Sequence, residues 1–233
     1  MIDGYTITSL PSDIELYFKA HLTEEYKPNF NASPTQRLPV ILNYKPNEIV
    51  MATWGYIQPS AGNQKMSPKY ITKKIDSFKE KTAMKKSSLE RRCLILADGF
   101  YSWKKMSGRS KVPYRIVPKR EKIICFAGIW NESEMDFRGH KMKYFSIILR
   151  NAYIPVSDIT ESMPVVLNRS EGEKWLQADF DAEKHIHMME MEDWDFFSYY
   201  PVSPAISDPK INSPKLIKPV QPVDQFGNLT LFG

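Results

Sequence analysis

Few side chains in this sequence stand in a pattern that is typical of catalysis. The nearest approach to a metal-ligand set lies in one short segment, with His185, His187, Glu183 and Glu190. Zinc sites usually combine Cys and His ligands at characteristic paired spacings, and this segment has no such spacing. The sequence therefore predicts no metal and no other cofactor.

The two cysteines, Cys93 and Cys125, lie in apolar runs that are typical of buried strands. A buried free cysteine behaves as a small apolar residue, so we interpret both as core residues rather than nucleophiles. Two such thiols favour a reducing compartment, which predicts a cytoplasmic protein. The first residues lack the basic and apolar regions of a signal peptide. No apolar run reaches the ~18 residues of a membrane span, so no membrane partner is expected.

Basic residues are concentrated between residues 65 and 92, where ten lysines and arginines stand against three acidic residues. The whole chain of 233 residues carries a formal net charge of +5. A solvated helix face is the ordinary explanation of such a run. The alternative is a nucleic-acid interface, because basic side chains along a groove follow phosphates and nearby aromatic rings stack on bases. The candidate DNA-binding residues are Lys69, Lys73, Lys74, Arg91, Trp54 and Tyr56, although Trp54 is equally well explained as a core residue.

Many short apolar runs and few helical patterns predict an α+β domain with mainly antiparallel sheets. Strands are predicted over 38–42, 48–54, 92–96, 100–104, 113–117, 122–127 and 143–149, with 113–117 and 122–127 paired as a hairpin. Helices are predicted from Ser12 with a capping box to Glu15, over 77–89, from Ser170 with a capping box to Glu173, and within 179–195.

The stretch ADGFYSWKK, at residues 97–105, is the centre of the pattern. Gly99 is expected to allow a tight bend through a positive φ angle. In the strand that follows, alternation places Tyr101 and Trp103 on one face and Ser102 on the other.

This stretch resembles the signature of the SRAP family (SOS-response-associated peptidase domain), which processes abasic sites in single-stranded DNA. Similar segments occur in the family's order at 30–36 (FNASPTQ), 54–57 (WGYI), 126–130 (FAGIW), 163–167 (MPVVL) and 201–203 (PVS). The resemblance implies one SRAP-like domain over residues 1–220, with a barrel-like core of antiparallel sheets and flanking short helices, followed by a tail at 221–233.

The resemblance also places four catalytic positions of the family, and this chain departs from the family at each. Ile2 stands where the family has the nucleophilic Cys, and Thr72 stands where it has an Asn that positions the sugar. Ser102 replaces an acidic Glu, and Thr160 replaces a His that moves protons. Serine does no general acid–base work near neutral pH without an activating partner, so we expect its hydroxyl to bond to neighbouring backbone. Glu161 is adjacent to Thr160, but on a strand it would face the other way.

The prediction is therefore an SRAP-fold protein without the family's cross-linking chemistry that still binds single-stranded or abasic DNA, as a monomer. One alternative is an active cross-linking or lyase enzyme, in which Lys73, Lys74 or the Met1 amine forms a Schiff base with the sugar aldehyde. Another is a protein-interaction module that uses segment 179–195 and the Pro-rich tail.

Overall fold

Strands dominate the computed structural model, which describes residues 2, 4–58, 65–66, 70–79, 89–135, 141–177, 181–190 and 195–230. The strands are β1 (Gly4–Ile7), β2 (His21–Leu22), β3 (Asn29–Ala32), β4 (Arg37–Leu42), β5 (Lys45–Trp54), β6 (Ile57–Gln58), β7 (Lys65–Met66), β8 (Thr72–Lys74), β9 (Arg92–Ala97), β10 (Gly99–Lys105), β11 (Lys111–Pro118), β12 (Ile124–Met135), β13 (Lys141–Asn151), β14 (Ser162–Pro164), β15 (Val166–Leu167) and β16 (Phe197–Pro201). The α-helices are α1 (Pro11–Phe18), α2 (Asp76–Lys79), α3 (Arg169–Leu176) and α4 (Ala182–Glu190). Within these residues, no helix combines the length and apolar character that a membrane crossing requires.

A closed barrel is formed by β4, β5, β9, β12 and β13. Its antiparallel pairs are β5–β4, β4–β9, β9–β12 and β12–β13. The barrel closes because β13 also runs parallel to β5, which places Tyr144 beside Thr53. Val40, Ile95 and Phe126 belong to its fully buried core. The predicted α+β fold with a barrel-like core and mainly antiparallel sheets is confirmed.

The second sheet has the order β16–β11–β10–β1–β3 and is antiparallel throughout. Phe100 reaches the main core, where its ring meets Phe126 edge-on at a centroid distance of 6.1 Å. Tyr101 belongs instead to a smaller cluster with Val202 and Leu216, against which Trp103 packs. The predicted alternation along β10 is therefore confirmed.

The predicted pairing of 113–117 with 122–127 is wrong. Strand β11 pairs with β10 and β16, whereas β12 pairs with β9, β13 and β15. The chain leaves one sheet after Pro118 and enters the other at Ile124. Two adjacent strand patterns therefore belong to different sheets.

Both predicted capping boxes are wrong: the one for α1 is absent, and the one for α3 lies at other residues. Pro11 occupies the first helical position of α1, so the helix begins before Ser12 and has no side-chain cap. The Glu15 carboxylate instead accepts a hydrogen bond from Leu22 N at 2.7 Å. For α3 the capping box is Asn168 with Glu171, two residues before the predicted pair. Most of the predicted helix over 77–89 lies outside the described residues.

Two glycines are required by close approach of neighbouring groups. Gly99 does not have the predicted positive φ angle. A Cβ atom there would lie 2.9 Å from the Ile116 carbonyl oxygen, so glycine lets β10 approach β11. At Gly128 a Cβ would lie 2.5 Å from Ile95 Cδ1 and 2.9 Å from Cys93 Sγ.

The residues after 208 pack along the second sheet. Asn31 Nδ2 donates to the Asp208 carbonyl at 2.9 Å, and Leu216 is buried beside Tyr101. Further on, Asp224 accepts a hydrogen bond from Ser110 Oγ at 2.9 Å. The chain on both sides of residue 220 therefore contacts the same sheet. The domain boundary at residue 220 stays a prediction.

Candidate functional site

Two of the four positions given by the sequence resemblance meet in one cleft of about 360 Å³. Ser102 lies on one wall, which is built by β10 and the start of β11. Thr160 lies on the other wall, which follows the short 3-10 helix Val156–Asp158. The remaining side chains of the cleft are Trp103, Lys104, Lys105, Lys111, Ser157, Asp158, Ile159 and Glu161.

A buried ionic network holds the wall that carries Ser102. The Asp98 carboxylate lies just before β10 and receives a hydrogen bond from Arg115 Nη2 at 2.8 Å. Thr6 and Thr8 donate to the same carboxylate. The network therefore links three strands of the second sheet, because Thr6 lies on β1 and Arg115 on β11.

The Ser102 hydroxyl does not have the backbone partner that the sequence predicted. Ser102 is 3% exposed and pairs across the sheet with Tyr114. Its hydroxyl makes no hydrogen bond within the described part of the chain. Thr160 Oγ1 does have a partner, since it donates to the Ser162 carbonyl at 3.3 Å.

The expectation that Glu161 faces away from Thr160 is wrong. Both residues precede β14, so the alternation of a strand does not apply to them. Glu161 lines the same cleft, its side chain is 95% exposed, and its Oε1 lies 3.7 Å from Lys105 Nζ. A screened pair of this kind contributes little to stability but leaves both charges available to a ligand.

Ile2 does not line the cleft. It is 4% exposed and belongs to the main hydrophobic core. Two residues later, Gly4 faces Tyr101 across the β1–β10 pair, and a Cβ there would lie 3.0 Å from the Ala32 carbonyl. The position at which the resemblance places the family's nucleophile therefore holds a buried apolar side chain.

Thr72 and Lys74 lie on β8, which runs parallel to β13, and Thr72 is opposite Ile147. Neither residue is among those that line the cleft of Ser102 and Thr160. Lys74 is exposed, while Lys73 is half-buried with its Nζ 4.9 Å from the centroid of the Phe78 ring. The structure thus brings together two of the four predicted positions.

Cys93 and Cys125 are free thiols with no exposed surface. Burial raises the pKa of both thiols, which keeps them protonated. Their predicted role as core residues is confirmed. Of the histidines in the sequence pattern, His185 is buried against the Trp175 ring at 5.4 Å and His187 is exposed. No group of three candidate metal ligands occurs among the described residues.

The prediction that Trp54 stacks on DNA bases is wrong. Its side chain is fully buried, its ring is stacked against Phe145 at 6.5 Å, and its Nε1 donates to the Ile71 carbonyl at 2.9 Å. A buried indole with a satisfied N–H is a core residue. Lys69 lies outside the described residues.

Tyr56 and Arg91, the other candidates, are joined by residues that the sequence did not single out. Tyr56 packs against Tyr144 at 4.8 Å and against Tyr70 at 5.6 Å, and we call these three residues the tyrosine cluster. Arg91 donates to Asn131 Oδ1, and Asn131 lies opposite Tyr144 in the β12–β13 register. Tyr70 and Tyr144 are remote in sequence from each other, so only the fold could reveal the cluster.

Solved structures with the same architecture identify the class of protein first. A protein from Bacteroides thetaiotaomicron aligns with a TM-score of 0.78 at 18% identity, covering 93% of this chain and 98% of that one. A protein from Bordetella bronchiseptica aligns with a TM-score of 0.68 at 18% identity, covering 86% and 99%. The class is therefore this α+β fold with a barrel core, and these likenesses establish no more than the fold.

Sequence comparison then gives the family. The model of the SOS response associated peptidase (SRAP) family matches residues 1–209. The abasic site processing protein YoqW of Bacillus subtilis is 32% identical over 199 residues, covering 83% of this chain and 87% of that protein. The abasic site processing protein HMCES of Xenopus tropicalis is 29% identical over 230 residues, covering 83% and 66%. The chain belongs to the SRAP family, as its sequence motifs predicted.

Proposed function

We propose that this SRAP protein does not form the family's covalent link to abasic sites and instead binds single-stranded DNA non-covalently. The observation that carries the proposal is the state of position 2. Ile2 has no nucleophilic atom, and it is 4% exposed in the main core. A covalent step needs an accessible nucleophile beside the substrate, and neither condition is met there.

The rest of the cleft supports the loss of that chemistry. Its described lining contains no thiol and no imidazole: Cys93 and Cys125 are buried in the core, and Thr160 stands where the resemblance places the family's histidine. The Ser102 hydroxyl has no described partner that could take its proton. General acid–base catalysis requires such a partner within hydrogen-bonding reach.

The chemical half of the proposal is tested by incubating the protein with single-stranded DNA that carries one abasic site, followed by a denaturing gel. We expect no shifted band. A band that survives denaturation would overturn this half. The variant Ser102→Ala is the matched control, because a shifted band that persists in it would locate the reaction away from that position.

The binding half is supported by the surface that contains Arg91, Lys74 and the tyrosine cluster. Arg91 and Lys74 are exposed, and Tyr70 is 42% exposed. An exposed ring next to basic side chains is the arrangement by which proteins hold single strands without reading their sequence.

Salt dependence measures the contribution of phosphate contacts. For a single strand the slope of log K against log salt is about −0.7 for each phosphate that is neutralised. We expect a clear negative slope for the protein, smaller by about 0.7 in Lys74→Ala and unchanged in Lys210→Ala, an exposed lysine on the C-terminal segment. A slope of zero for the unmodified protein would overturn the binding half.

A second candidate function is favoured by the lysines of the cleft. Lys104, Lys105 and Lys111 all line it. A deprotonated lysine amine attacks an aldehyde carbon, and the aldehyde oxygen leaves as water while a C=N bond forms. Added borohydride reduces that bond to a stable amine. A borohydride-dependent band that disappears in Lys104→Ala, Lys105→Ala or Lys111→Ala would establish this lyase-like function in place of the first proposal.

A further inference from the structure

A second aromatic pair lies at the edge of the barrel, outside the cleft. Tyr44 and Trp130 pack with ring centroids 5.2 Å apart, and Tyr44 is 50% exposed. The Trp130 Nε1 donates to Asn43 Oδ1 at 3.1 Å, which fixes the orientation of the indole. The half-exposed Tyr44 ring packs on this fixed indole, so it presents a flat face at little further cost in conformational entropy.

Arg91 and Asn131 connect this pair to the tyrosine cluster. The Arg91 guanidinium lies 5.6 Å from the centroid of the Trp130 ring and also donates to Asn131. Asn131 is opposite Tyr144 in the β12–β13 register, so the two residues are cross-strand neighbours. The groups therefore follow one another in contact. We call the continuous set the aromatic strip: Tyr70, Tyr56, Tyr144, Arg91, Trp130 and Tyr44.

The charge around the aromatic strip is complementary to a polyanion. On β8, β12 and β13 and at positions 90–92, the basic residues are Lys73, Lys74, Arg91, Arg92, Lys141, Lys143 and Arg150, and the acidic ones are Glu90, Glu132 and Glu134. Glu132 is also 3.8 Å from both Lys141 and Lys143, which neutralises part of its charge. An apolar partner protein would gain nothing from this excess of positive charge, whereas phosphates would.

We propose that the aromatic strip is a path for single-stranded DNA in which bases stack on Tyr70 and Tyr44, while Arg91 lies between these two points. This inference rests on the proposed function and extends its binding surface, which is separate from the cleft, to Trp130 and Tyr44. Unpaired bases offer both ring faces to an aromatic side chain, so the strip favours a single strand over a duplex. Every base has such a face, so little sequence preference is expected.

The test is fluorescence anisotropy with a fluorescein-labelled single-stranded oligothymidine and the full chain. Tyr44→Ala and Tyr70→Ala should each weaken binding about 5- to 150-fold, the range that stacking of one base accounts for. Tyr44→Trp should bind at least as tightly as the unmodified protein. Phe226→Ala is the matched control, because Phe226 is 69% exposed on the C-terminal segment and its loss should leave the affinity unchanged.

Arg91 supplies a second readout that separates charge from stacking. Arg91→Lys keeps the charge but loses the planar guanidinium. It should keep the salt slope and weaken binding, whereas Arg91→Ala should also reduce the slope by about 0.7. Far-UV circular dichroism and the melting temperature establish that each variant is folded.

The outcomes separate this inference from the proposed function. If the unmodified protein binds and the Tyr44 and Tyr70 variants both lose affinity, the aromatic strip is established. If the unmodified protein binds oligothymidine and Tyr44→Ala binds it with the same affinity, the aromatic strip is refuted. The proposed function then stands, with the DNA bound elsewhere. If the unmodified protein binds neither oligothymidine nor abasic single strands, both are overturned.

Discussion

The ion pair between Asp98 and Arg115 determines how firmly the wall of the cleft is held. The two side chains are only 5% and 10% exposed, and Arg115 Nη2 lies 2.8 Å from Asp98 Oδ1. The carboxylate also accepts hydrogen bonds from Thr6 and Thr8, with Thr8 Oγ1 at 2.7 Å. We predict that Asp98→Asn lowers the free energy of unfolding by about 3–5 kcal/mol, because it leaves the guanidinium buried without a counter-charge.

The structure suggests a value near the lower end of that range. Without the carboxylate, Arg115 still donates to Thr6 Oγ1 at 3.0 Å and to the Tyr200 hydroxyl at 2.8 Å. These neutral acceptors satisfy part of the guanidinium but supply no charge. In the double variant Asp98→Asn/Arg115→Met the uncompensated cation is gone. The double variant should therefore be more stable than the sum of the two single losses implies, with a coupling energy of about 0.5–3 kcal/mol.

Urea unfolding followed by tryptophan fluorescence measures these differences, provided that the slope against urea stays the same in all four proteins. A milder control is Thr8→Val, which removes one hydrogen bond and should cost about 1 kcal/mol. A loss below about 1 kcal/mol for Asp98→Asn would place the pair in the range of exposed ion pairs. If the losses of the Asp98 and Arg115 single variants also add up to that of the double variant, the claim that Asp98 supplies a needed counter-charge to Arg115 is refuted.

Further predictions concern the core. The Tyr5 hydroxyl is buried without a partner among the described residues, so Tyr5→Phe should raise the free energy of unfolding by about 1–3 kcal/mol. Tyr26→Phe should instead lower the free energy of unfolding by about 0.5–1.5 kcal/mol, because the Tyr26 hydroxyl donates to the Ile7 carbonyl at 2.6 Å. Gly128→Ala should cost about 1–3 kcal/mol by overpacking, and its melting temperature checks this. Burial raises the pKa of Cys93 and Cys125, so the folded state keeps protons that the unfolded chain releases above about pH 8.5. Stability should therefore fall with rising pH by up to about 1.4 kcal/mol per pH unit per thiol, which urea midpoints between about pH 8 and pH 10 will show.

The strands of the barrel could be predicted from sequence because they are nearly continuous apolar runs bounded by turn residues, whereas the barrel itself was implied only by the family resemblance. Residues 92–96 and 143–149 were predicted as strands and lie within β9 and β13. Which strands pair could not be predicted so well. The pattern at 113–127 is compatible with a hairpin, and only the strand pairing of the folded chain shows that β11 and β12 belong to different sheets.

The candidate site, like the fold, could be predicted from the sequence only in part. The resemblance singled out Ser102 and Thr160, and both residues line one cleft. The sequence could not show that Glu161 shares that cleft. Side chains alternate in direction only within a strand, and Glu161 precedes the first residue of β14. The tyrosine cluster has no local signature at all. Tyr56 and Tyr144 are distant in sequence, and they are in contact only because β5 and β13 pair where the barrel closes.

Strand β13 connects the aromatic strip with the segment that carries Thr160. Its first half carries Tyr144 and pairs with β12 and β5, whereas its last residues pair with β14, which follows Thr160. The spacing between the aromatic strip and the cleft is therefore fixed by main-chain hydrogen bonds that are indifferent to the side chain at Thr160 or Ser102. Replacement of a reactive side chain in the cleft removes a functional group but leaves the β12–β13 register, and with it the strip, in place. A change that shifts that register, such as overpacking at Gly128, should instead weaken DNA binding and stability together.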